Sequence, residues 1–318
     1  MGWAVLAVAV GFVALTRGAD HFVAGSARLA ALLQVSPIVI GALVIGFGTS
    51  APEMLVSGLA AAQGDVDLGV GNVLGSNVAN LALVLPVAAL LGSVRVDSRT
   101  LRSEVPLSMG ACIAFLVVLP GGLTRVEGAL LALLLVLALA RVVVGGRQRG
   151  DEALVAEVEE LIEHEEAEAG SRLSVEVLRV VLGLGATVAG AQALVWGARV
   201  LAEELGLAEG FIGLTLVAVG TSLPELAAAV AAARRGEDEL VVGNLLGSNI
   251  FNSLAVGAIL ALVSPGPLAD PALAQRATVL LVVVMAATVV AMWGEAVIKR
   301  WEASVLLGIY LLGLPFLL

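Results

Sequence analysis

Apolar residues come in long runs rather than in strict alternation or a one-sided stripe. Stretches such as Ala129 to Ala140 are apolar on every face, which suits helices surrounded by apolar material rather than half-exposed strands. Gly, Pro and charged residues punctuate the runs into ten helical spans, at roughly 2–29, 37–63, 69–92, 104–120, 125–144, 174–202, 209–233, 240–263, 275–294 and 302–318. A hydrocarbon core about 30 Å thick takes roughly 20 helical residues to cross, and the first and sixth spans are long enough to lie tilted. A membrane β-barrel would need segments of roughly ten alternating residues. The pattern predicts an all-α polytopic membrane protein.

Composition agrees, because 59% of the 318 residues are apolar and only 14% are charged, more apolar surface than a soluble globule hides. The net charge of −10 comes largely from Asp151 to Glu168 and argues against nucleic acid as a partner. That stretch has apolar residues at helical spacing and reads as a short amphipathic cytoplasmic helix with a solvated acidic face; it has no EF-hand pattern that would make it a calcium sensor, and His164 within it reads as exposed. Cys112 is the single cysteine, so an intramolecular disulfide or a cysteine metal cluster is excluded. Met1-Gly2-Trp3 lacks a basic n-region, so the first run is expected to be a retained helix.

Lys and Arg concentrate in short cytoplasmic loops. Arg28, the groups at 95–102, 141–149 and 172–179, Arg234, Arg235, Lys299 and Arg300 fall on one side of the ten spans, with Arg125, Arg276 and acidic Asp65, Asp67, Glu203, Glu204, Glu209 and Asp270 opposite. Both termini are expected outside and the acidic loop inside, in the plasma membrane of a prokaryote.

The sequence also matches itself at an offset of 172. Gly41 to Asn80 against Gly213 to Asn252 shows roughly 18 identities in 40. Residues 1–145 and 174–318 then form two five-span repeats joined by the acidic segment 146–173, with motif cores at 41–80 and 213–252. An odd number of spans turns the second repeat upside down, and inverted-repeat transporters bind substrate at the repeat interface near the midplane.

Two doubled motifs carry the chemistry. Gly48-Thr49-Ser50-Ala51-Pro52-Glu53 and Gly220-Thr221-Ser222-Leu223-Pro224-Glu225 lie within spans two and seven. Proline withholds an N–H from the carbonyl four residues back, so both helices should break there and free the carbonyls of Gly48 and Gly220. Irregular backbone at membrane depth survives where it is packed in protein or lines a polar cavity. Glu53 and Glu225 are carboxylates near midspan, where an uncompensated charge costs several kcal/mol. No Lys, Arg or His lies at matching depth in spans two, three, seven or eight, so a bound cation or protons should compensate them. Carboxylates with the hydroxyls of Thr49, Ser50, Thr221 and Ser222 are hard oxygen donors of the kind Na⁺ and Ca²⁺ prefer. In Gly71-Asn72-Val73-Leu74-Gly75-Ser76-Asn77-Val78-Ala79-Asn80 and Gly243-Asn244-Leu245-Leu246-Gly247-Ser248-Asn249-Ile250-Phe251-Asn252, Ser76 with Asn80 and Ser248 with Asn252 project from one helix face each. The glycine pairs admit a neighbouring helix closely. Asn72, Asn77, Asn244 and Asn249 point elsewhere and read equally well as interhelical hydrogen-bonding residues.

These doubled signatures, over essentially the whole chain, resemble the α-repeats of the cation/calcium antiporter superfamily, particularly its prokaryotic sodium/calcium exchanger branch. The resemblance implies ten transmembrane helices in two inverted five-helix repeats, with helices two and seven broken at the site, and alternating access between Na⁺ and Ca²⁺ competing for overlapping sites. It implies ion-ligand roles for Thr49, Ser50, Glu53, Ser76 and Asn80, for Thr221, Ser222, Glu225, Ser248 and Asn252, and for the backbone carbonyls of Gly46 and Ala218. Some relatives carry Asp where this chain has Asn80 or Asn252, so K⁺ co-transport is not expected here. Helices one and six, which lack the motifs, are expected to slide past the other eight.

Asp20 and His21 align with Gln192 and Ala193 in the repeat and read as facing a vestibule or a neighbouring helix. The transported ions are the partners, within lipid; no cofactor, nucleic acid or obligate protein partner is expected. A proton-coupled divalent-cation antiporter of the same fold is the alternative, since protons also neutralise buried carboxylates. A channel would use rings of ligands and weaker multi-site binding. An enzyme is not expected, as no P-loop or H-E-x-x-H is present.

Overall fold

The computed structural model describes residues 2–32, 50–149, 173–236 and 238–317. Within them the chain forms helices α1 (Gly2–Leu32), α2 (Ala51–Ala62), α3 (Val66–Leu91), α4 (Ser98–Val118), α5 (Arg125–Arg149), α6 (Leu173–Leu205), α7 (Glu209–Thr221), α8 (Leu223–Arg235), α9 (Asp238–Val263), α10 (Pro271–Glu295) and α11 (Arg300–Phe316). Six of them, α1, α3, α4, α6, α9 and α10, are long and apolar enough to cross a membrane, and α7 with α8 forms a seventh span bent by 42°. This is an all-α polytopic membrane protein. The first half of the second expected span, 37–49, and the acidic segment 150–172 lie outside the described residues.

The expected breaks have a defined local cause. Ser222 closes α7 with φ −86° and ψ 8°, between regular helix and turn geometry. Pro224 then sits in the first turn of α8, where its missing N–H costs nothing. Ser50 has nearly the same backbone, φ −90° and ψ 3°, before Pro52 in α2.

Three wider, π-helical turns were not foreseen, at Asn80–Val84, Gly213–Val217 and Phe251–Val256. Such turns insert one extra residue into a helix and concentrate at functional sites. Two of them begin at or beside the motif residues Asn80 and Asn252. Pro86 follows the first, but no proline accompanies the third, so proline is not their common cause. A two-residue antiparallel ribbon, Val94 with Ile298 and Arg95 with Val297, was also unpredicted and ties the turn after α3 to the turn before α11.

The largest helix-helix contact joins α1 and α6, which run antiparallel along their length. Gly11, Gly18 and Gly25 on α1 recur at the offset of 172 as Gly183, Gly190 and Gly197 on α6. A Cβ at Gly11 would stand 2.9 Å from the Gly190 carbonyl, and one at Gly183 would stand 2.9 Å from that of Gly18. A Cβ at Gly25 would meet Val180, and one at Gly197 would meet Val8, the residue equivalent to Val180. Exchanging the helices therefore returns the same contacts, and glycine permits this backbone approach in lipid, where apolar burial supplies no force between helices. At one end of the seam the Arg28 guanidinium pairs with Glu176 at 3.2 Å, both buried.

The glycines of α3 act similarly. A Cβ at Gly71 would run into the Gly210 carbonyl and one at Gly75 into that of Leu214, so α3 lies directly on α7. Around this crossing one large apolar cluster joins α2, α3, α4, α5, α8, α9, α10 and α11 with Leu214 of α7. A second is shared by α1, α2, α3, α6 and α7.

Candidate ion-binding site

Ser50 and Ser222 each stand three residues before a glutamate, with an early proline between, the S-x-x-E spacing of a capping box. Neither serine caps its own helix. The Ser222 hydroxyl instead reaches across to the Glu53 carboxylate, donating to Oε1 at 3.4 Å, and the Ser50 hydroxyl has no hydrogen-bond partner. The spacing puts each carboxylate in the first turn of a helix, near the N–H groups and the positive end of the dipole, and no serine of its own helix N-terminus ties up its oxygens.

Both carboxylates have zero exposure. Glu53 faces the Glu225 carboxylate, with Thr221 and Ser222 as hydroxyl neighbours, and Ser248 stands beside Glu225. Glu53 Oε2 and both oxygens of Glu225 have no hydrogen-bond partner. Among the described residues Arg28 and Arg179 form ion pairs with Glu176, and Arg199 with Asp65 and Glu209. Two neighbouring buried carboxylates with three unpaired oxygens need something positive between them, because each uncompensated charge costs several kcal/mol.

Further buried polar side chains lie on α3 and α9. Ser76, Asn80, Ser248 and Asn252 are all buried, and Ser76 Oγ, Asn80 Oδ1 and Asn252 Oδ1 have no partner. Asn80 Nδ2 donates to Asn249 Oδ1 at 3.0 Å, which leaves the Asn80 oxygen available. Of the twelve sequence-derived site residues, Ser50, Glu53, Ser76, Asn80, Ala218, Thr221, Ser222, Glu225, Ser248 and Asn252 are described and lie on α2, α3, α7, α8 and α9 or the breaks between them; Gly46 and Thr49 lie outside the described residues. The Ala218 carbonyl accepts from Ser222 N at 3.0 Å and from Thr221 Oγ1 at 3.3 Å, so in this state it is engaged within its own turn.

Three asparagines read from sequence as pointing elsewhere support the site. Asn72 accepts from Thr221 Oγ1 at 3.2 Å and donates to Ser57 Oγ at 2.9 Å. Asn72 Oδ1 and the Ala218 carbonyl are alternative acceptors for the one Thr221 hydroxyl proton, and the bond to Asn72 leaves the hydroxyl's lone pairs for a cation. Asn249 holds Asn80, and Asn77 donates to Ser253 at 2.9 Å, which contacts Cys112. Ser57 carried no motif signal, yet it completes the Asn72 link. Its equivalent at the offset of 172 is Ala229, and the Nδ2 of Asn244, the equivalent of Asn72, has no partner.

A membrane-buried cluster of two carboxylates and neutral oxygens, built at two helix breaks, defines the class of ion-coupled transporters. The family profile described as sodium/calcium exchanger protein matches residues 3–144 and 175–318. The chain belongs to this family, in the prokaryotic branch of the cation/calcium antiporter superfamily. It is 41% identical over 287 residues to the putative antiporter CaxA of Alkalimonas amylolytica, covering 90% of this chain and 87% of that one. It is 30% identical to the sodium/calcium exchanger MaX1 of Methanosarcina acetivorans, over 96% of this chain and 95% of that one. Its structure is similar to that of the sodium-calcium exchanger NCX_Mj from a crystal soaked with Na⁺ and Sr²⁺, with a TM-score of 0.64, 29% identity and 98% coverage of both chains.

Proposed function

We propose that the chain is a secondary antiporter that exchanges Na⁺ for Ca²⁺ across a prokaryotic plasma membrane. The observation that carries this reading is the pair of buried carboxylates, Glu53 and Glu225, with three unpaired oxygens. Two negative charges match one divalent ion or two monovalent ones, so Ca²⁺ and Na⁺ compete on charge grounds. Ser50, Ser76, Asn80, Thr221, Ser222, Ser248 and Asn252 supply neutral oxygens around them, with Thr49 and the Gly46 and Ala218 carbonyls completing the shell. The protein transports and does not catalyse, and it carries no cofactor.

Alternating access follows from two inverted repeats, 1–145 and 174–318, each of five membrane helices and linked by 146–173, with both termini outside and the acidic linker in the cytoplasm. Its support is the two-fold seam of α1 and α6, whose contacts are unchanged when the helices are exchanged. A joined pair with that symmetry can slide past the remaining helices and bury the site from either side in turn.

The test is ⁴⁵Ca²⁺ uptake by proteoliposomes loaded with Na⁺ and diluted into Na⁺-free buffer at clamped pH. Uptake that requires the outward Na⁺ gradient supports the reading. Uptake indifferent to Na⁺ but driven by an imposed pH gradient transfers the coupling to protons, the same carboxylates serving.

A further inference from the structure

The ring of Phe12 on α1 rests directly against Gly220, so that a Cβ at Gly220 would overlap the Cε1–Cζ edge of the ring. Gly220 is the second residue before the bend at Ser222, and the next residue, Thr221, supplies a hydroxyl beside Glu53. A missing side chain in the helix that carries the break is thus filled by an aromatic ring from a helix that contributes no ligand. Interiors are close-packed, and such a ring in such a notch has one well-packed position.

Apart from α6, α1 packs against α2 and against the Ala218–Thr221 turn. Phe12 borders both the apolar cluster that surrounds this turn and a smaller one of Ala4, Val8 and Leu201 within the α1–α6 pair. At the offset of 172 Phe12 corresponds to Leu184, which is 42% exposed. The two helices thus differ here in side chain, an aromatic ring on α1 and a leucine on α6, although the glycine seam between them is symmetric.

We propose that Phe12 is a positioning residue for the ion site: its ring, seated on Gly220, fixes the α7–α8 break so that Thr221 and Ser222 face Glu53. The ring touches no ion and acts through the backbone that carries two ligands. The proposal rests on the assignment of Glu53 and Glu225 as the cation site. It adds a route by which the position of α1 sets the ligand geometry: a shift of α1 unseats the ring and loosens the turn.

The test compares Phe12→Ala, Phe12→Tyr, Gly220→Ala and the double variant Phe12→Ala/Gly220→Ala in the full-length protein. The readouts are the Ca²⁺ concentration for half-maximal uptake and that for half-maximal thermal stabilisation of the purified protein. The second needs no transport, so it separates failure of the positioning claim from failure of the exchange reading. Phe12→Ala is expected to raise both concentrations about five- to tenfold, a loss of roughly one kcal/mol of ligand pre-organisation, with maximal uptake less affected. Phe12→Tyr keeps the ring and is expected to stay within about twofold of wild type. Gly220→Ala is expected to lose Ca²⁺ affinity more than Phe12→Ala does, and removing the ring in the double variant should recover most of that loss. Wild-type Ca²⁺ affinity in Phe12→Ala overturns the proposal, as does a double variant no better than Gly220→Ala. If Gly220→Ala does not fold, the contrast between Phe12→Ala and Phe12→Tyr decides: equal affinities refute the role of the ring.

Discussion

Replacing Asn72 with Ala should weaken Ca²⁺ binding although Asn72 is not a proposed ligand. The side chain has zero exposure and makes two hydrogen bonds, accepting from Thr221 Oγ1 at 3.2 Å and donating to Ser57 Oγ at 2.9 Å. A side-chain hydrogen bond between membrane helices contributes about 0.6 kcal/mol on average, and about 1 to 1.5 kcal/mol in favourable buried cases. Only the Thr221 bond orients a ligand. Its loss leaves the hydroxyl proton to the Ala218 carbonyl, its other acceptor at 3.3 Å, and turns the lone pairs away from the position set by Asn72. At about 1.4 kcal/mol per tenfold, the apparent affinity should fall roughly three- to tenfold. The Ser57 bond and the small cavity add a stability loss of about 1 to 2 kcal/mol. The assay is the Ca²⁺ dependence of initial ⁴⁵Ca²⁺ uptake, with the melting temperature recorded alongside. Ser57→Ala is the control, since it removes the second bond and leaves the first, so it should lower stability and hardly move the Ca²⁺ dependence. Equal effects of the two variants on Ca²⁺ affinity, or none from Asn72→Ala, would refute the orientation argument.

Further predictions concern packing and charge. Gly75→Val should abolish folding or uptake, because the new side chain would enter the Leu214 carbonyl, whereas Gly110→Ala should be silent, with nothing within 4 Å of its Cβ; expression and melting temperature check both. Gly11→Leu and Gly183→Leu occupy equivalent places in the α1–α6 seam and should impair uptake to a similar extent, so harm from one alone would contradict the two-fold contact. Arg28→Met should destabilise by less than the roughly 3 to 5 kcal/mol of a fully stranded buried charge, because Arg179 stays 3.8 Å from Glu176, and Arg28→Met/Glu176→Leu should recover much of the loss; denaturation of the purified variants measures this. The partly exposed pair of Arg199 with Asp65, 3.3 Å apart, should contribute under about 1 kcal/mol, and the effect of Arg199→Ala should shrink in high salt.

What the sequence made legible follows from how strong each signal is. Apolar run length is strong in a membrane chain, and the expected spans 69–92, 209–233 and 240–263 lie within a few residues of α3, α7 with α8, and α9. The doubled proline motif located the bend at Ser222 because loss of an N–H is a local covalent fact. The π-helical turns were not legible: their residues differ, NLALV against FNSLAV, and the extra residue is accommodated by neighbouring helices rather than dictated locally. Ser57 was missed for a similar reason, since a lone serine in an apolar run gains meaning only when folding places it beside Asn72. Asn249 points away from the Ser248 and Asn252 face of its own helix, so from sequence it reads equally well as an interhelical hydrogen-bonding residue, and it does meet Asn80 from α3 across the crossing. The glycines at seven-residue intervals in the first and sixth spans were visible all along, but their role needed the antiparallel pairing of α1 with α6.

The central claim is that one cation site is formed by Glu53 and Glu225 and opens to the two faces of the membrane in turn. The most direct measurement is Ca²⁺ self-exchange, ⁴⁵Ca²⁺ entry against internal unlabelled Ca²⁺ with no Na⁺ and no pH gradient, in wild type, Glu53→Gln and Glu225→Gln. It probes the site whatever ion drives net transport. We predict saturable self-exchange in wild type, inhibited by added Na⁺ and lost in both variants; self-exchange that persists in either variant would contradict the account.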